Sequence, residues 1–134
     1  MQNNMPQIKA RAIIKNEKNE VFLCKVWVHG KQLFCLPGWT LDEWENILEC
    51  LHREIVEELG IEPIIGKLVA VNSFVRSNGQ SVCDVRYEVN NRKDFLDIDT
   101  STTSHGFEIL EHGFYTSNTV PDVYKPDNLF DIIW

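Results

Sequence analysis

Apolar and polar residues alternate in several short stretches of the chain, and in one longer stretch they repeat with a helical period. The alternating stretches are rich in β-branched and aromatic residues, which is typical of strands. They predict strands over 7–14, 21–28, 33–36, 64–74, 81–89 and 107–115. In the longer stretch the apolar residues recur every three or four positions, at Leu48, Leu51, Ile55 and Leu59. This spacing predicts an amphipathic helix over 46–59, with Gly60 as its stop signal.

The segments between these elements carry turn signals. Turns are predicted at three places, 16–19, His29-Gly30 and the hairpin sequence Asn78-Gly79. Residues 90–106 are polar and predicted to be irregular, whereas residues 126–134 are predicted to start a terminal helix. Strands around one central helix, with a second helix at the end, predict a single α/β domain over 1–134. The architecture expected is an α/β/α sandwich around a mixed β-sheet.

Length and composition narrow the class of protein. A chain of 134 residues is long enough for one core, and its formal charge of −7 leaves no basic footprint for duplex nucleic acid. No apolar run approaches the ~20 residues of a membrane span, and the first residues do not resemble a signal segment. The four cysteines lack metal or redox spacing and are expected to be reduced core thiols. We therefore expect a cytoplasmic protein without a membrane or duplex nucleic acid partner.

The predicted helix carries three carboxylates on one side. Glu54, Glu57 and Glu58 fall within an arc of about 100° on an ideal helix. Such a concentration of like charge is unfavourable unless a cation compensates it. Mg²⁺ takes oxygen ligands and is commonly held by a few carboxylates together with substrate phosphates, so a divalent-cation site is predicted here. An acidic helix face that is simply solvated surface is the alternative.

The spacing around these carboxylates resembles the Nudix box, which would run over residues 39–61. The residues that match its specified positions are Glu45, Arg53, Glu54, Ile55, Glu57, Glu58, Gly60 and Ile61. Its first position departs from the pattern, because Trp39 stands where the family has glycine. Trp44 also occupies a place where many members carry glycine. The resemblance implies the Nudix fold and a hydrolase that cleaves the pyrophosphate linkage of a nucleoside diphosphate joined to another moiety.

The resemblance also implies roles for the residues of the box. Glu57 and Glu58 are expected as metal ligands, and Glu54 as a third ligand or as the residue that orients or deprotonates water. The backbone carbonyl of Gly38 is expected to reach the same metal, which would be Mg²⁺ with Mn²⁺ as a substitute. Catalysis would rest on these groups because the barrier is mainly electrostatic.

Arg53 and Glu45 are expected to support the acidic site. Arg53 lies four residues from both Glu49 and Glu57, so it is predicted to hold these carboxylates. Glu45, near the helix start, is predicted to pair with Arg53 or with a water molecule behind the ligands.

Residues outside the box are expected to complete the site. Glu108 and Glu111 resemble the distal acids of many members, and one of them is a candidate for an extra ligand or the base; two exposed acids are the alternative. Candidates for contact with the nucleobase are Trp39, Phe74, Tyr115 and Asn128. The four histidines are isolated in the sequence, and none is assigned a role.

Two further hypotheses about function stay open at this point. The chain could be a catalytically weak or inactive Nudix-like module that binds a nucleotide as a sensor, which Trp39 favours and the intact carboxylates oppose. It could also be an interaction domain whose acidic helix is surface. The partner expected is a small nucleotide, of the nucleoside triphosphate or nucleotide sugar class, and a homodimer is an open alternative to the monomer.

Overall fold

The computed structural model describes residues 5–28 and 30–120, which contain seven strands, one α-helix and two short 3-10 helices. The strands are β1 (Gln7–Ile13), β2 (Val21–Val28), β3 (Lys31–Cys35), β4 (Gly38–Thr40), β5 (Ile65–Val75), β6 (Ser81–Val89) and β7 (Glu111–Tyr115). The helix α1 spans Ile47–Leu59, and the 3-10 helices span Arg92–Phe95 and Gly106–Glu108. The predicted terminal helix and His29 lie outside the described residues.

The strands form two sheets, which confirms the predicted mixed α/β class. The four-stranded sheet has the order β4-β1-β6-β5, in which β1 and β6 are parallel and the other pairs are antiparallel. The three-stranded sheet has the order β3-β2-β7 and is antiparallel throughout. The strands predicted for one mixed sheet are therefore divided between two.

Helix α1 begins and ends where the sequence signals place its boundaries. Asn46 caps its start, and Gly60 ends it with φ 74°, a left-handed conformation that favours glycine. Leu51, Ile55 and Leu59 are buried in the core between the helix and the sheets, as predicted. Leu48 is not, since 48 % of it is exposed; it lies on the first turn beside Pro63 and Ile65.

Strand β1 carries different residues on its two faces. Ala10 and Ala12 belong, with Ile14 just beyond the strand, to the core cluster that includes the helix, as the alternation predicted. Lys9 and Arg11 alternate with them and therefore lie on the opposite face. Both are nevertheless buried, so this face of the sheet carries charge away from solvent.

Two elements differ from the sequence prediction. Residues 38–40 form β4, a short strand paired with β1, where the sequence predicted no strand. The strand predicted over 107–115 starts only at Glu111, because a 3-10 turn precedes it and Phe107 is exposed. Within the described residues no helix has the length and apolar character needed to cross a membrane.

Candidate active site

Arg53 connects the acidic side chains before α1 with those in the middle of the helix. Its Nη1 donates to Glu54 at 3.0 Å and to Glu57 at 3.1 Å. Its Nε and Nη2 donate to the two carboxylate oxygens of Glu45 at 3.0 and 2.8 Å, a bidentate pair. Nη2 also donates to Asp42 at 3.1 Å. The guanidinium therefore offsets much of the repulsion between these carboxylates.

The predicted contacts of Arg53 with Glu45 and Glu57 are found, and the predicted contact with Glu49 is wrong. Glu49 completes a capping box instead, since its carboxylate accepts from the Asn46 N–H at 3.3 Å and its own N–H donates to the Asn46 side chain at 2.9 Å. The hydrogen bond from Arg53 lowers the pKa of Glu45 to about 2. Glu45 therefore stays ionised throughout the physiological pH range.

Glu54 is buried, with 8 % of it exposed, whereas Glu57 and Glu58 are partly buried. Burial raises the pKa of Glu54, although the Arg53 guanidinium opposes the shift. Burial, reinforced by the charge of Glu54, raises the pKa of Glu58 to about 8, while Arg11 and a hydrogen bond from the Gly38 backbone oppose it. Arg53 does not contact Glu58 within the described hydrogen bonds and ion pairs. The site therefore has more carboxylate than nearby positive charge.

The loop before the second 3-10 helix packs on the last turn of α1. Thr103 Oγ1 donates to the Glu58 carbonyl at 2.9 Å, and the His105 N–H donates to the Glu57 carbonyl at 2.8 Å. Both bonds supply donors to carbonyl groups that a helix end leaves unpaired. His105 Nδ1 also lies 3.1 Å from Glu57 Oε2. His105 thus belongs to the site, although no role was predicted for it.

Gly38 and Trp39 differ in backbone conformation, although both belong to β4. Gly38 has φ 122°, and a Cβ there would collide with the carbonyl oxygen of Ala10. Its carbonyl accepts from Arg11 Nη1 at 2.9 Å, and its backbone donates to Glu58. Trp39 is not among the described residues with positive φ. The conformation that requires glycine therefore falls on Gly38, and Trp39 fits the strand without backbone strain.

The donor set matches the ligand preference of a hard divalent cation. Glu54, Glu57 and Glu58 present carboxylate oxygens from successive turns of one helix, and the Gly38 backbone N–H donates to Glu58. Within the described ranges, however, no three His, Cys, Asp or Glu side chains are grouped for metal binding. Glu54 and Glu57 are directed to Arg53. The predicted convergence on one metal therefore requires these two carboxylates to rotate away from Arg53.

The two candidate distal acids occupy different surroundings. Glu108, in the second 3-10 helix, lies close enough to Glu58 that its charge contributes to the raised pKa of that carboxyl. Glu111, at the start of β7, pairs with Lys25 Nζ at 3.2 Å. The fold thus brings Glu108 towards the acidic helix and gives Glu111 a partner in the neighbouring strand.

Trp39 lies against basic side chains of β1. Lys9 Nζ is 4.3 Å from the centre of the Trp39 ring system, and Arg11 Cζ is 5.5 Å from it. Both distances are in the range of cation–π contacts. Because the side chain is also partly exposed, at 37 %, the indole lies between the basic residues and solvent.

The remaining candidates for base contact are placed in different parts of the molecule. Phe74, on β5, is 41 % exposed and opposes Val82 in the register of the sheet. Tyr115 packs edge-on against Phe34 with ring centres 5.2 Å apart, which is the arrangement of a packing residue. Asn128 lies outside the described residues.

Sequence reasoning did not identify three residues that contact the site: Arg11, Asp42 and His105. Arg11 had a usable signal, since a charged residue alternating with alanines in a strand is a buried cation when both faces of the sheet are covered. Asp42 and His105 reach the helix from loops, and their contacts with Arg53 and Glu57 depend on the folded chain alone.

Comparison with known proteins assigns the chain to a family by its sequence and to a fold by its structure. The family model described as the NUDIX domain matches residues 5–119. No curated protein matches the chain significantly in sequence.

Among solved structures, a MutT NUDIX hydrolase from Burkholderia pseudomallei is 19 % identical with a TM-score of 0.75, over 96 % of each chain. The ORF135 protein of E. coli is 18 % identical with a TM-score of 0.71, over 99 % of this chain and 90 % of that one. An ADP-ribose pyrophosphatase from Streptococcus suis is 20 % identical with a TM-score of 0.61, over 90 % and 81 %. At these identities the likeness concerns the fold.

Proposed function

The chain belongs to the Nudix hydrolase family, and from this premise we propose that it is a divalent-metal-dependent hydrolase of nucleoside diphosphate derivatives. The reaction is attack of water on a phosphorus atom of the pyrophosphate linkage, with cleavage of one P–O bond. The substrate class is a nucleoside triphosphate or a nucleotide sugar. Mg²⁺ is the expected cofactor, with Mn²⁺ as a substitute.

The observation that carries this proposal is the excess of carboxylate at Glu54 and Glu58. Burial raises the pKa of both groups, and Arg53 contacts only one of them. Two neighbouring carboxylates with one direct cationic partner between them are costly for a fold, whereas they suit a site that binds a cation together with polyphosphate.

Each of these residues then has its own role in the proposed reaction. Glu57, Glu58 and the Gly38 carbonyl would hold the cation; a carbonyl oxygen has two lone pairs, so the bond from Arg11 leaves one available. The bound cation would supply charge neutralisation on the phosphates and a lowered pKa of coordinated water. Glu54, whose pKa is already raised, would accept the proton that the attacking water loses. Arg53 would keep Glu54 oriented for that transfer.

The argument from backbone conformation at Trp39 for a non-catalytic module does not apply to this chain. It held that the family's glycine at position 39 meets a special backbone conformation, the alternative being a close backbone approach to phosphate. In this chain the special conformation falls one residue earlier, on Gly38. We therefore propose an active enzyme, in which Glu108 is the preferred distal acid because it acts electrostatically on Glu58.

The test is a panel of nucleoside triphosphates and nucleotide sugars incubated with Mg²⁺ or Mn²⁺, with products separated by anion-exchange chromatography. We expect a nucleoside monophosphate as one product, formed with metal and not with EDTA. Glu57→Gln should abolish turnover, and Glu17→Gln, at an exposed turn, serves as the matched control. Absence of metal-dependent turnover of every compound by folded protein would reject the proposed function.

A further inference from the structure

One face of the four-stranded sheet concentrates buried charged residues. Lys9 and Arg11 on β1 lie opposite Asp84 and Arg86 on β6 in the parallel register, so all four side chains share a face. Their exposed fractions are 7, 8, 8 and 3 %. Charged side chains are rarely buried to this degree unless they are paired or bind a ligand.

The charges on this face do not balance. Asp84 pairs with Arg11 at 3.6 Å and with Arg86 at 3.2 Å. Arg76, at the end of β5, is near enough to Lys9 that its charge helps to lower the pKa of that ammonium, after burial and Arg11. We call Lys9, Arg11, Arg76 and Arg86 the cation cluster. Within the described ranges neither Lys9 nor Arg76 forms an ion pair with a carboxylate.

Two buried hydrogen-bond donors next to this face find no acceptor among the residues that the structure describes. Asn72 lies opposite Asp84 in the antiparallel pairing of β5 and β6, so its side chain joins the same face. Asn72 Nδ2 and Arg76 Nε are buried without a hydrogen-bond partner. An unpaired buried donor costs about 1–3 kcal/mol, so several of them together indicate that a group rich in acceptors belongs there.

The cation cluster borders the acidic helix directly. Arg11 donates to the carbonyl of Gly38, and the backbone of Gly38 donates to Glu58. A polyphosphate bound through a cation at the carboxylates would therefore extend towards Arg11 and Lys9. Its next anionic group would lie at the cation cluster and Asn72, in a chain whose net charge is −7.

We propose that the cation cluster, with Asn72, is a subsite for a terminal phosphate group, so that the enzyme selects nucleoside triphosphates over nucleotide sugars. A terminal phosphate is dianionic near neutral pH and offers three acceptor oxygens, whereas a sugar at the same place is uncharged. The selectivity rests on the proposed function, but the subsite itself does not, because the cations bind phosphate oxygens without any reaction.

Binding without metal tests the subsite alone. Isothermal titration calorimetry with inorganic tripolyphosphate in EDTA compares the wild type with Lys9→Met and Arg76→Met, which remove charge and keep length. Lys67→Met is the matched control, since Lys67 is exposed on β5 of the same sheet. We expect Kd to rise about tenfold or more in the first two variants, from loss of a charge-assisted contact, and to stay unchanged in the control.

Two outcomes overturn the subsite: an unchanged Kd in both Lys9→Met and Arg76→Met, or an equal rise in Lys67→Met. Circular dichroism identifies a variant that fails to fold. The Kd of the other variant for tripolyphosphate then decides whether the subsite exists. Selectivity is measured as the ratio of kcat/KM for uridine triphosphate to that for uridine diphosphate glucose. This ratio should fall about tenfold in Lys9→Met and stay unchanged in Lys67→Met.

The two proposals fail in different ways. If the wild type hydrolyses neither uridine compound nor any other member of the panel, the proposed function is rejected, while tripolyphosphate binding still decides the subsite. If hydrolysis occurs and the selectivity ratio is equal in wild type and Lys9→Met, the selectivity is rejected and the hydrolase stands.

Discussion

Glu57 and His105 are joined twice, once through the backbone and once through their side chains. The His105 N–H donates to the Glu57 carbonyl at 2.8 Å, and the imidazole Nδ1 lies 3.1 Å from Glu57 Oε2. The first bond fixes a loop to the end of α1, and the second occupies an oxygen that a metal ligand would need. The loop and the acidic site are therefore coupled through one residue.

His105→Ala should strengthen metal binding, because it removes one of the two side chains that contact Glu57 Oε2, the other being Arg53, and leaves the backbone bond in place. We expect the Kd for Mn²⁺ to fall several-fold, measured by isothermal titration calorimetry. His112→Ala is the control, since His112 packs beside Phe22 in the other sheet. An unchanged Kd in His105→Ala would show that the imidazole does not compete with the metal.

Glu57→Gln should lower kcat by at least about 10²-fold, because the loss of one ligand charge weakens the cation that stabilises the transition state. The fold should persist, since the amide oxygen can still accept from Arg53. Steady-state kinetics and a thermal melt on the same preparation separate the two effects. Full turnover in this variant would remove Glu57 from the catalytic assignment.

The stability of the metal-free protein should fall as pH rises, because of Glu58. Its pKa is raised from 4.5 to about 8 in the folded state, so between these values the folded chain holds a proton that the unfolded chain has released. Folding is then favoured at the acid end of the interval and loses this contribution as pH approaches 8. Glu54 shifts in the same direction.

The measurement is the difference in melting temperature between Glu58→Gln and the wild type, in EDTA, at pH 5.5 and pH 8. The melting temperature of the variant should rise relative to that of the wild type as pH rises, because glutamine has no proton to lose. A difference that is the same at both pH values contradicts the assignment to Glu58.

Gly38→Ala should destabilise the fold by about 2 kcal/mol or more, since a Cβ would collide with the Ala10 carbonyl as well as strain the backbone. Gly79→Ala is the matched control: its φ is 88°, and a Cβ there meets nothing within 4 Å. The control should lose only about 1 kcal/mol. Urea denaturation of the wild type and the two variants gives the free energies of unfolding. An equal decrease in both variants would show that the collision with Ala10 does not contribute to the destabilisation.

Trp44→Gly should stabilise the protein by about 1 kcal/mol, because Trp44 has φ 67° and its side chain is fully exposed. Trp27→Gly is the opposite case, since Trp27 is 57 % exposed within the regular strand β2, where glycine is unfavourable. We expect the melting temperature to rise in the first variant and fall in the second. A lower melting temperature in Trp44→Gly would mean that the indole contributes packing.

Local sequence signals predicted the elements that depend on local chemistry. The helix boundaries follow from Asn46 and Gly60, and the hairpin of β5 and β6 follows from Asn78-Gly79; the structure has both. The division of the strands into two sheets was not predictable, because it depends on pairings between distant segments. β4 was missed for the same reason, since Gly38 becomes a strand residue only through its approach to Ala10.

The candidate site shows the same limit. The spacing of the carboxylates on α1 follows from the helical period, and so does the contact of Arg53 with Glu57. Glu49 was misassigned because it lies within helical reach of both Arg53, four residues on, and Asn46, three residues back, and it forms the capping box with Asn46. His105 lies almost fifty residues from Glu57 in sequence, so no local pattern could join them.

The ion pairs of Arg53 also bear on whether the protein can fold before it binds a metal ion. The Arg53 guanidinium belongs to the same chain as Glu45, Glu54 and Glu57, with which it pairs in the folded protein. Folding therefore does not have to wait for an ion from solution, as it does in small domains that are unfolded without metal. The amount of folded chain is then set by synthesis and turnover, and under the proposed function the supply of divalent ions sets the active fraction.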